Sequence, residues 1–411
     1  MSLSIAIIGG GAAGFFAAIH AAKTNSHHRV VIFEKSNKLL AKVKISGGGR
    51  CNVTHNESSI KNLVANYPRG GNRLKKVFGR FTPQNTVEWF EQRGVPIKSE
   101  KDGRMFPVSD NSQSIIDVLL NEAHNSGVEI YTQKAVEQIK PAQEGFELVF
   151  KNETIHFDKV ILATGGTPTL RGFEWLKNLD LRIVSPLPSL FTFNVPRGNW
   201  ADLSGISMPN AEVRIPALKL RRNGPVLITH WGFSGPAVLA LSSIAARELY
   251  DLNYQFDIQI NWTSHSENEL RDGIYQVAAS MPNRKMIATP LFDIPSRLWR
   301  RIVERAQVPE DRTFGDMVKK EINRTIVQLS QCAFDVSGKT TFKEEFVTSG
   351  GIDLDELYIK TFESKKHPGL YCIGEVTNVD ALTGGFNFQY AWASGYIAGS
   401  HAGRSERNLD Q

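Results

Sequence analysis

At 411 residues, 41% hydrophobic and 22% charged, the chain has a globular composition and is too long for one compact core. Its 48 basic and 42 acidic residues leave a net charge of +6, too mild over this length to argue for a nucleic-acid partner. Three cysteines, Cys51, Cys332 and Cys372, form no C-x-x-C pair, which points away from a zinc site or a redox dithiol. Sparse cysteine fits a reducing compartment. No apolar run has the length of a membrane span or a signal-peptide core, so a cytoplasmic protein without a membrane partner is expected.

Ile5–Ile8 reads as a buried strand. It runs into Gly9-Gly10-Gly11-Ala12-Ala13-Gly14, a helix from Phe15 to Lys23, and a second strand, Val30–Phe33, closed by Glu34. This is a G-x-G-x-x-G unit in its proper context. Gly9 permits a tight turn, Gly11 a close approach to a pyrophosphate, and Gly14 close packing of helix on strand. The helix N-terminus offers free N–H groups and a positive dipole end to the phosphates. Glu34 is placed to accept hydrogen bonds from a ribose diol. So far, nicotinamide and flavin dinucleotides both fit.

A basic stretch follows, Lys42-Val43-Lys44-Ile45-Ser46-Gly47-Gly48-Gly49-Arg50-Cys51-Asn52. Three consecutive glycines do not stabilise a helix or strand interior, and they suit backbone passing close to a ligand. Thr82 and Pro83 open a helix through Trp89 to Arg93. Pro96 to Pro107 reads as a hairpin around Asp102-Gly103. A helix over Ser112–Asn125 leads into the strand Val128–Tyr131. Phe146–Phe150 and Ile155–Phe157 pair as a small antiparallel unit. Val160–Ala163 is a buried strand breaking at Thr164-Gly165-Gly166.

From Leu190 the texture changes. Short strands at Phe191–Val195, Glu212–Ile215, Val226–Thr229 and Tyr254–Trp262 precede helices near Glu267–Ser280, Ser296–Gln307 and Phe314–Gln331. The order suggests an insertion with a β-rich part (190–263) and a helical part (264–332). It would divide an α/β dinucleotide domain whose first part is 1–189 and whose return segment is 333–411. Basic clusters at Lys38–Lys44, Arg69–Arg80, Lys219 with Arg221 and Arg222, and Arg297–Arg305 come without an RNA-binding motif. Solvated faces and phosphate-side loops are the favoured reading, and a small-molecule substrate is expected.

Near the end, Gly369–Glu375 is a strand ending in Gly374-Glu375. It is followed by Val379-Asp380-Ala381-Leu382-Thr383-Gly384-Gly385-Phe386-Asn387-Phe388 and a small-residue helix from Gln389 to about Ala402, before a polar tail from Gly403. A nicotinamide enzyme does not need this return. In two-ended flavin folds, a final strand delivers a carboxylate to the ribityl or pyrophosphate region, and a last helix aims its N-terminus at the pyrimidine edge. Negative charge develops there on reduction, and a helix dipole stabilises it by roughly 0.3–2 kcal/mol. The far end of the chain therefore selects FAD.

Four segments carry a closer resemblance: Lys44-x-Ser46-Gly47-Gly48-Gly49-Arg50-Cys51-Asn52-x-Thr54, Thr229-His230-x-Gly232-x-Ser234-Gly235-Pro236, Thr348-x-Gly350-Gly351, and Gly374-Glu375 with Gly384–Gln389. They are similar to the BaiN/YhiN-type bacterial flavoproteins, a family that includes NAD(P)/FAD-dependent oxidoreductases and aminoacetone oxidase-like enzymes. The similarity runs over essentially the whole chain. It implies a two-ended, Rossmann-like FAD domain of the glutathione-reductase-related type, with an inserted β-barrel-like and helical region. Carried over, Gly9, Gly11, Ala12, Ala13, Gly14, Glu34 and Lys35 would hold the ADP half. Lys44 and Ser46 to Asn52 would line the pyrophosphate and flavin, with Thr164, Gly165 and Gly166 near the adenine side. Gly374, Glu375, Asp380, Gly385, Phe386, Asn387 and Phe388 would meet the ribityl chain and isoalloxazine. His55 departs from the pattern, standing where a smaller amide is expected.

His230 is the candidate proton donor to a substrate, weighed equally against a structural histidine beside a helix start. Cys51 is favoured as a packed residue over a reactive thiol. Arg50 and Arg104 suit either an anionic substrate or a structural role. The expected activity is hydride transfer between a small organic substrate and N5 of non-covalent FAD. NAD(P)H stays open as electron donor, and an RNA-modifying flavoenzyme or a non-catalytic redox sensor are the alternatives. No metal constellation stands out.

Overall fold

The computed structural model describes residues 2–196, 200–340 and 347–404, so the tail beyond 404 lies outside the described residues. Residues 1–189 and 343–411 make one compact unit, and residues 190–342 make another.

The first unit is built on a seven-stranded sheet in the spatial order Leu357–Tyr358, Glu363–Ser364, Leu370–Cys372, Lys159–Leu162, Ser4–Ile8, Arg29–Phe33, Glu129–Tyr131. From Leu370–Cys372 onward the neighbours are parallel. Ile5, Ile7, Val31, Ile32, Val160 and Ile161 are buried, as strands covered on both faces require. Ile8 lies opposite Phe33 and Leu162, and Leu162 lies opposite Cys372. These four carboxyl ends therefore finish level. The loops leaving them, from Gly9, Glu34, Ala163 and Ile373, open on one edge, where ligands bind in open α/β sheets.

The chain's two ends join through helices. Ala12–Ala22 and Phe386–Ala402 pack along a seam of small residues. A Cβ on Gly395 would lie 2.8 Å from the Ala13 carbonyl oxygen, and one on Gly399 would lie 2.3 Å from that of Ala17. Buried polar groups lock the last helix to the body of the unit. Gln389 accepts from the Thr54 and Thr86 hydroxyls at 2.7 and 2.8 Å and donates to Phe81 O at 3.2 Å. The Trp392 indole donates to Val53 O at 2.9 Å.

Elsewhere local chemistry sets the boundaries. Thr82 caps Pro83–Glu91 in a reciprocal box with Asn85. Ile97–Ser99 and Arg104–Pro107 form the hairpin across Asp102-Gly103. Ser112–Asn125 is capped by Asn111. A three-stranded antiparallel sheet, Gln138–Pro141, Phe146–Val149 and Thr154–Phe157, occupies the crossover before Lys159.

The second unit holds a seven-stranded antiparallel sheet, in the order Cys332–Ser337, Gln255–Asn261, Ser207–Ile215, Leu220–Ile228, Gly232–Ser234, Thr192–Asn194, Lys339–Thr340. Its two edge strands are consecutive in the chain, parted by Gly338, whose carbonyl accepts from Asn194 N–H. The sheet thus curls back on itself in barrel-like fashion. Helices Glu267–Ser280, Ser296–Arg305 and Lys319–Ser330 share its core, with Trp299, Ile302 and Ile326 joining Phe233, Ile258 and Trp262. The β-rich and helical stretches belong to one hydrophobic cluster. Among the described residues, no helix is long and apolar enough to cross a membrane.

Gly399→Ala tests the helix seam. Alanine in a helix interior ordinarily gains about 1 kcal/mol over glycine. Here its methyl group meets backbone, and overpacking costs about 1–3 kcal/mol. The expected outcome is a lower urea midpoint with an unchanged slope, and a higher midpoint would refute the seam.

Candidate functional site

Each glycine of the opening motif is required for a separate reason. Gly9 has φ +118°, and a Cβ there would lie 2.4 Å from Ala163 O. A Cβ on Gly14 would lie 2.0 Å from Gly9 O, so helix and strand touch at that point. At Gly11 nothing stands within 4 Å of the Cβ position, so this face is open to a ligand. Gly11 caps the helix with extended backbone, so the helix begins at Ala12, three residues before Phe15. The Ala12 and Ala13 N–H groups have no acceptor inside the helix and carry its positive dipole end. An anionic pyrophosphate fits here.

Backbone amides hold the Glu34 carboxylate. Gly10 N–H donates to one oxygen at 2.9 Å and Ser36 N–H to the other at 2.8 Å. A carboxylate retains acceptor capacity for a diol after two such bonds. Beside it opens a cavity of about 310 Å³, lined among others by Gly9, Glu34, Lys35, Thr164, Gly165 and Gly166.

The glycine-rich stretch is helical from Ala41 to Ile45 and breaks at Ser46, whose ψ is 147°. Gly47, Gly48 and Gly49 then take φ of +58°, +68° and +85°. A Cβ on Gly47 would lie 3.0 Å from the Phe106 ring, whereas Gly48 and Gly49 face open space. Lys44 donates to Gln113 at 2.7 Å, and the Ser46 hydroxyl to Val43 O at 3.0 Å. Arg50 lies over the Phe106 ring at 3.9 Å and pairs with Glu100 and Asp110. Arg104 pairs with Glu100 and Asp102. Cys51 is buried, and desolvation pushes its thiol up to about 12, so it is a protonated packing group at neutral pH. With its amide assigned so that both ends find partners, Asn52 ties the stretch to the last helix: its Oδ1 accepts from Gly385 N–H at 3.0 Å, and its amide donates to Thr54 O and Met105 O.

The returning segment meets the same edge. A Cβ on Gly374 would lie 2.9 Å from that of Ala13, in the first turn of the first helix. Glu375 accepts from Thr348 N–H at 2.9 Å and pairs with Lys42. Gly166 lets this carboxylate approach, since its own Cβ would lie 2.8 Å from Glu375 Oε1. Asp380 is fully buried, and Arg69 and the Ser189 hydroxyl occupy its carboxylate. Burial pushes that carboxyl up, and the two partners oppose the shift. Asp380 thus anchors the loop from within.

The last helix begins at Phe386, three residues before the expected Gln389. Gly385, at φ +91°, caps it, and a Cβ there would lie 2.4 Å from Thr54 O. Asn387 clamps Ala381 by its N–H at 3.0 Å and its O at 3.1 Å, which stabilises the extra turn. Phe386 stacks on His55, whose Nδ1 bonds Gly384 O at 3.0 Å. The larger side chain at position 55 thus seats the helix start. Phe388 stacks on Trp392. The helix's positive end therefore coincides with Gly385–Phe388.

His230 lies in the second unit, exposed in the turn between the Leu220–Ile228 and Gly232–Ser234 strands. The other candidate residues all belong to the first unit. Among the described residues, no cluster of histidine, cysteine and carboxylate groups could hold a metal. Sequence reasoning missed Lys42 as the Glu375 partner and Lys134, Val136, Phe173 and Trp175 as cavity lining. Only Gly172 ahead of an aromatic pair offered a local signal.

Residues 3–401 match the HI0933-like protein Rossmann domain. The chain belongs to the HI0933-like family. It is 28% identical over 412 residues to the 3-dehydro-bile acid delta(4,6)-reductase of Clostridium scindens, covering 97% of this chain and 98% of that protein. It is 29% identical over 402 residues to the ribosomal RNA dihydrouridine synthase of Escherichia coli, covering 95% of each. Among solved structures, it resembles the 3-ketosteroid-delta4-(5alpha)-dehydrogenase of Rhodococcus jostii, with a TM-score of 0.53 at 13% identity, over 98% of this chain and 97% of that one. That likeness is one of fold. This HI0933-like chain has a Rossmann-like domain, and the glycine cradle, the helix N-terminus and the fixed Glu34 carboxylate fit FAD.

Two glycines separate binding from folding. Gly11→Ala should leave the unfolding free energy of the flavin-free protein within about 1 kcal/mol, while FAD affinity falls at least about tenfold. Gly14→Ala should destabilise the protein itself by about 1–3 kcal/mol. Urea unfolding and flavin titration of both variants check this, and equal loss of stability in the two would contradict the assignment.

Proposed function

We propose that this protein is a non-covalent FAD enzyme that reduces a carbon–carbon double bond conjugated to a carbonyl group. The observation that carries the reading is that two relatives, each covering at least 95% of this chain, are named for different substrates and one kind of change. A 4,6-unsaturated 3-keto steroid and the uracil ring of uridine both present a double bond polarised by a carbonyl. Each is reduced by hydride addition at the far carbon and protonation of the near one. Negative charge passes to the carbonyl oxygen on the way.

Bound FAD, once reduced by two electrons from NADH or NADPH, would supply the hydride. The chain's residues do the rest. Gly9–Gly14 and Glu34 would hold the ADP half, and the N-terminus of the Phe386–Ala402 helix would stabilise negative charge developing on the reduced flavin. His230, exposed in its turn, is the proposed proton source for the substrate. A small carbonyl compound is the first reading of the substrate. RNA uridine is the second, favoured by the relatives from Escherichia coli and Haemophilus influenzae.

An anaerobic titration separates these readings. Either NADH or NADPH should bleach the bound flavin, and a conjugated ketone should restore its colour, with the product gaining two hydrogens by mass. Recovery with ribosomal RNA alone, and dihydrouridine in its digest, would select the second reading. Bleaching by an amine but by neither pyridine nucleotide would instead make the protein an oxidase and defeat both.

A further inference from the structure

One peptide unit at the start of the last helix is tied at both ends by side chains. The Gly384 carbonyl oxygen accepts from His55 Nδ1 at 3.0 Å, and the next N–H, that of Gly385, donates to Asn52 Oδ1 at 3.0 Å. The bond to a carbonyl assigns the imidazole proton to Nδ1. Both ties come from one short stretch, which pairs with the Arg104–Pro107 strand through Thr54 opposite Met105 and His55 opposite Arg104. The imidazole is wedged in place. It stacks on Phe386 with ring centres 4.5 Å apart, and a Cβ on Gly103 would lie 2.6 Å from its Nε2.

This peptide needs such a hold. Gly384 and Gly385 have φ of +130° and +91°. Turning the peptide plane over carries Gly385 to negative φ, and glycine populates both signs about as readily. The two orientations differ electrically. Reversal exchanges the carbonyl and N–H ends of a peptide dipole beside the N-terminus of Phe386–Ala402, where that helix presents its positive end.

We propose that Asn52 and His55 are positioning residues that lock the Gly384–Gly385 peptide in one orientation and thereby raise the reduction potential of the bound flavin. The proposal rests on the FAD reading above. A flavin that gains two electrons and one proton carries one further negative charge, and a fixed dipole stabilises that charge better than one averaged over two orientations. The donor at position 55 matters more here than the ring. An asparagine carries its amide nitrogen at the same branch of the side chain as Nδ1, so the smaller amide expected at this position has the same reach to Gly384 O.

The test measures the midpoint potential of FAD bound to the full chain, by equilibration with a redox dye. His55→Phe keeps a ring against Phe386 and removes the donor. It should weaken the binding of reduced relative to oxidised flavin about tenfold, a shift of about 30 mV to more negative potential for a two-electron couple. His55→Asn should retain the potential of the unaltered chain. Asn52→Leu releases the other end and should shift the potential in the same direction, which carries the test should His55→Phe fail to fold. The double variant should shift little further, since one released end already frees the peptide. An unmoved or raised potential in His55→Phe or Asn52→Leu, equal losses in His55→Phe and His55→Asn, or additive shifts in the double variant would overturn the lock. An unaltered chain that binds no FAD would overturn the flavin reading instead.

Discussion

The contact between the first and last helices governs the rest of the first unit. Two backbones can approach this closely only where side chains vanish, and Gly395 and Gly399 vanish opposite Ala13 and Ala17. The seam ties residues near the start of the chain to residues near its end. It also brings Gly374 to the first turn of the opening helix, and with it the Glu375 carboxylate. Half of the cofactor edge is therefore placed by a helix contact remote from the ligand.

Hydrogen bonding then holds the loops that the strands release. Asn52 reaches Gly385, Asn387 clamps Ala381, and Gln389 takes two buried hydroxyls and a carbonyl. Each polar group is satisfied inside the protein, which keeps its burial from being costly. The Arg69–Asp380 pair follows the same logic. Removing one partner would strand a buried charge, a loss of about 3–5 kcal/mol in comparable sites. Such loops enter binding already ordered, so less conformational entropy is lost when a ligand arrives.

This chain matches nearly the full length of relatives that are named for different substrates. The cofactor edge accounts for that. It consists of backbone positions, capped helices and fixed carboxylates, none of which reads what lies on the far side of a flavin. The second unit has its own sheet, helices and core, and it carries His230.

Much of this was legible in the sequence. The parallel strands announced themselves as short apolar runs, and Gly9, Gly11 and Gly14 with Glu34 stood at the spacings of a dinucleotide turn. The hairpin Ser207–Ile215 with Leu220–Ile228 was only half visible, because Arg221–Asn223 is polar and exposed and the strand shows no alternation until Val226. The start of the last helix was misplaced because a double glycine reads as a loop until Asn387 is seen to reach back to Ala381. Asp380 resembled a ligand contact, and only the tertiary structure supplied Arg69 and Ser189. Local sequence, then, determined the turns, caps and apolar strands, since these depend on residues close in the chain. The tertiary structure alone decided which distant residues share an edge, because packing and buried hydrogen bonds join Gly374 to Ala13 and Gln389 to Thr54 without regard to separation along the chain.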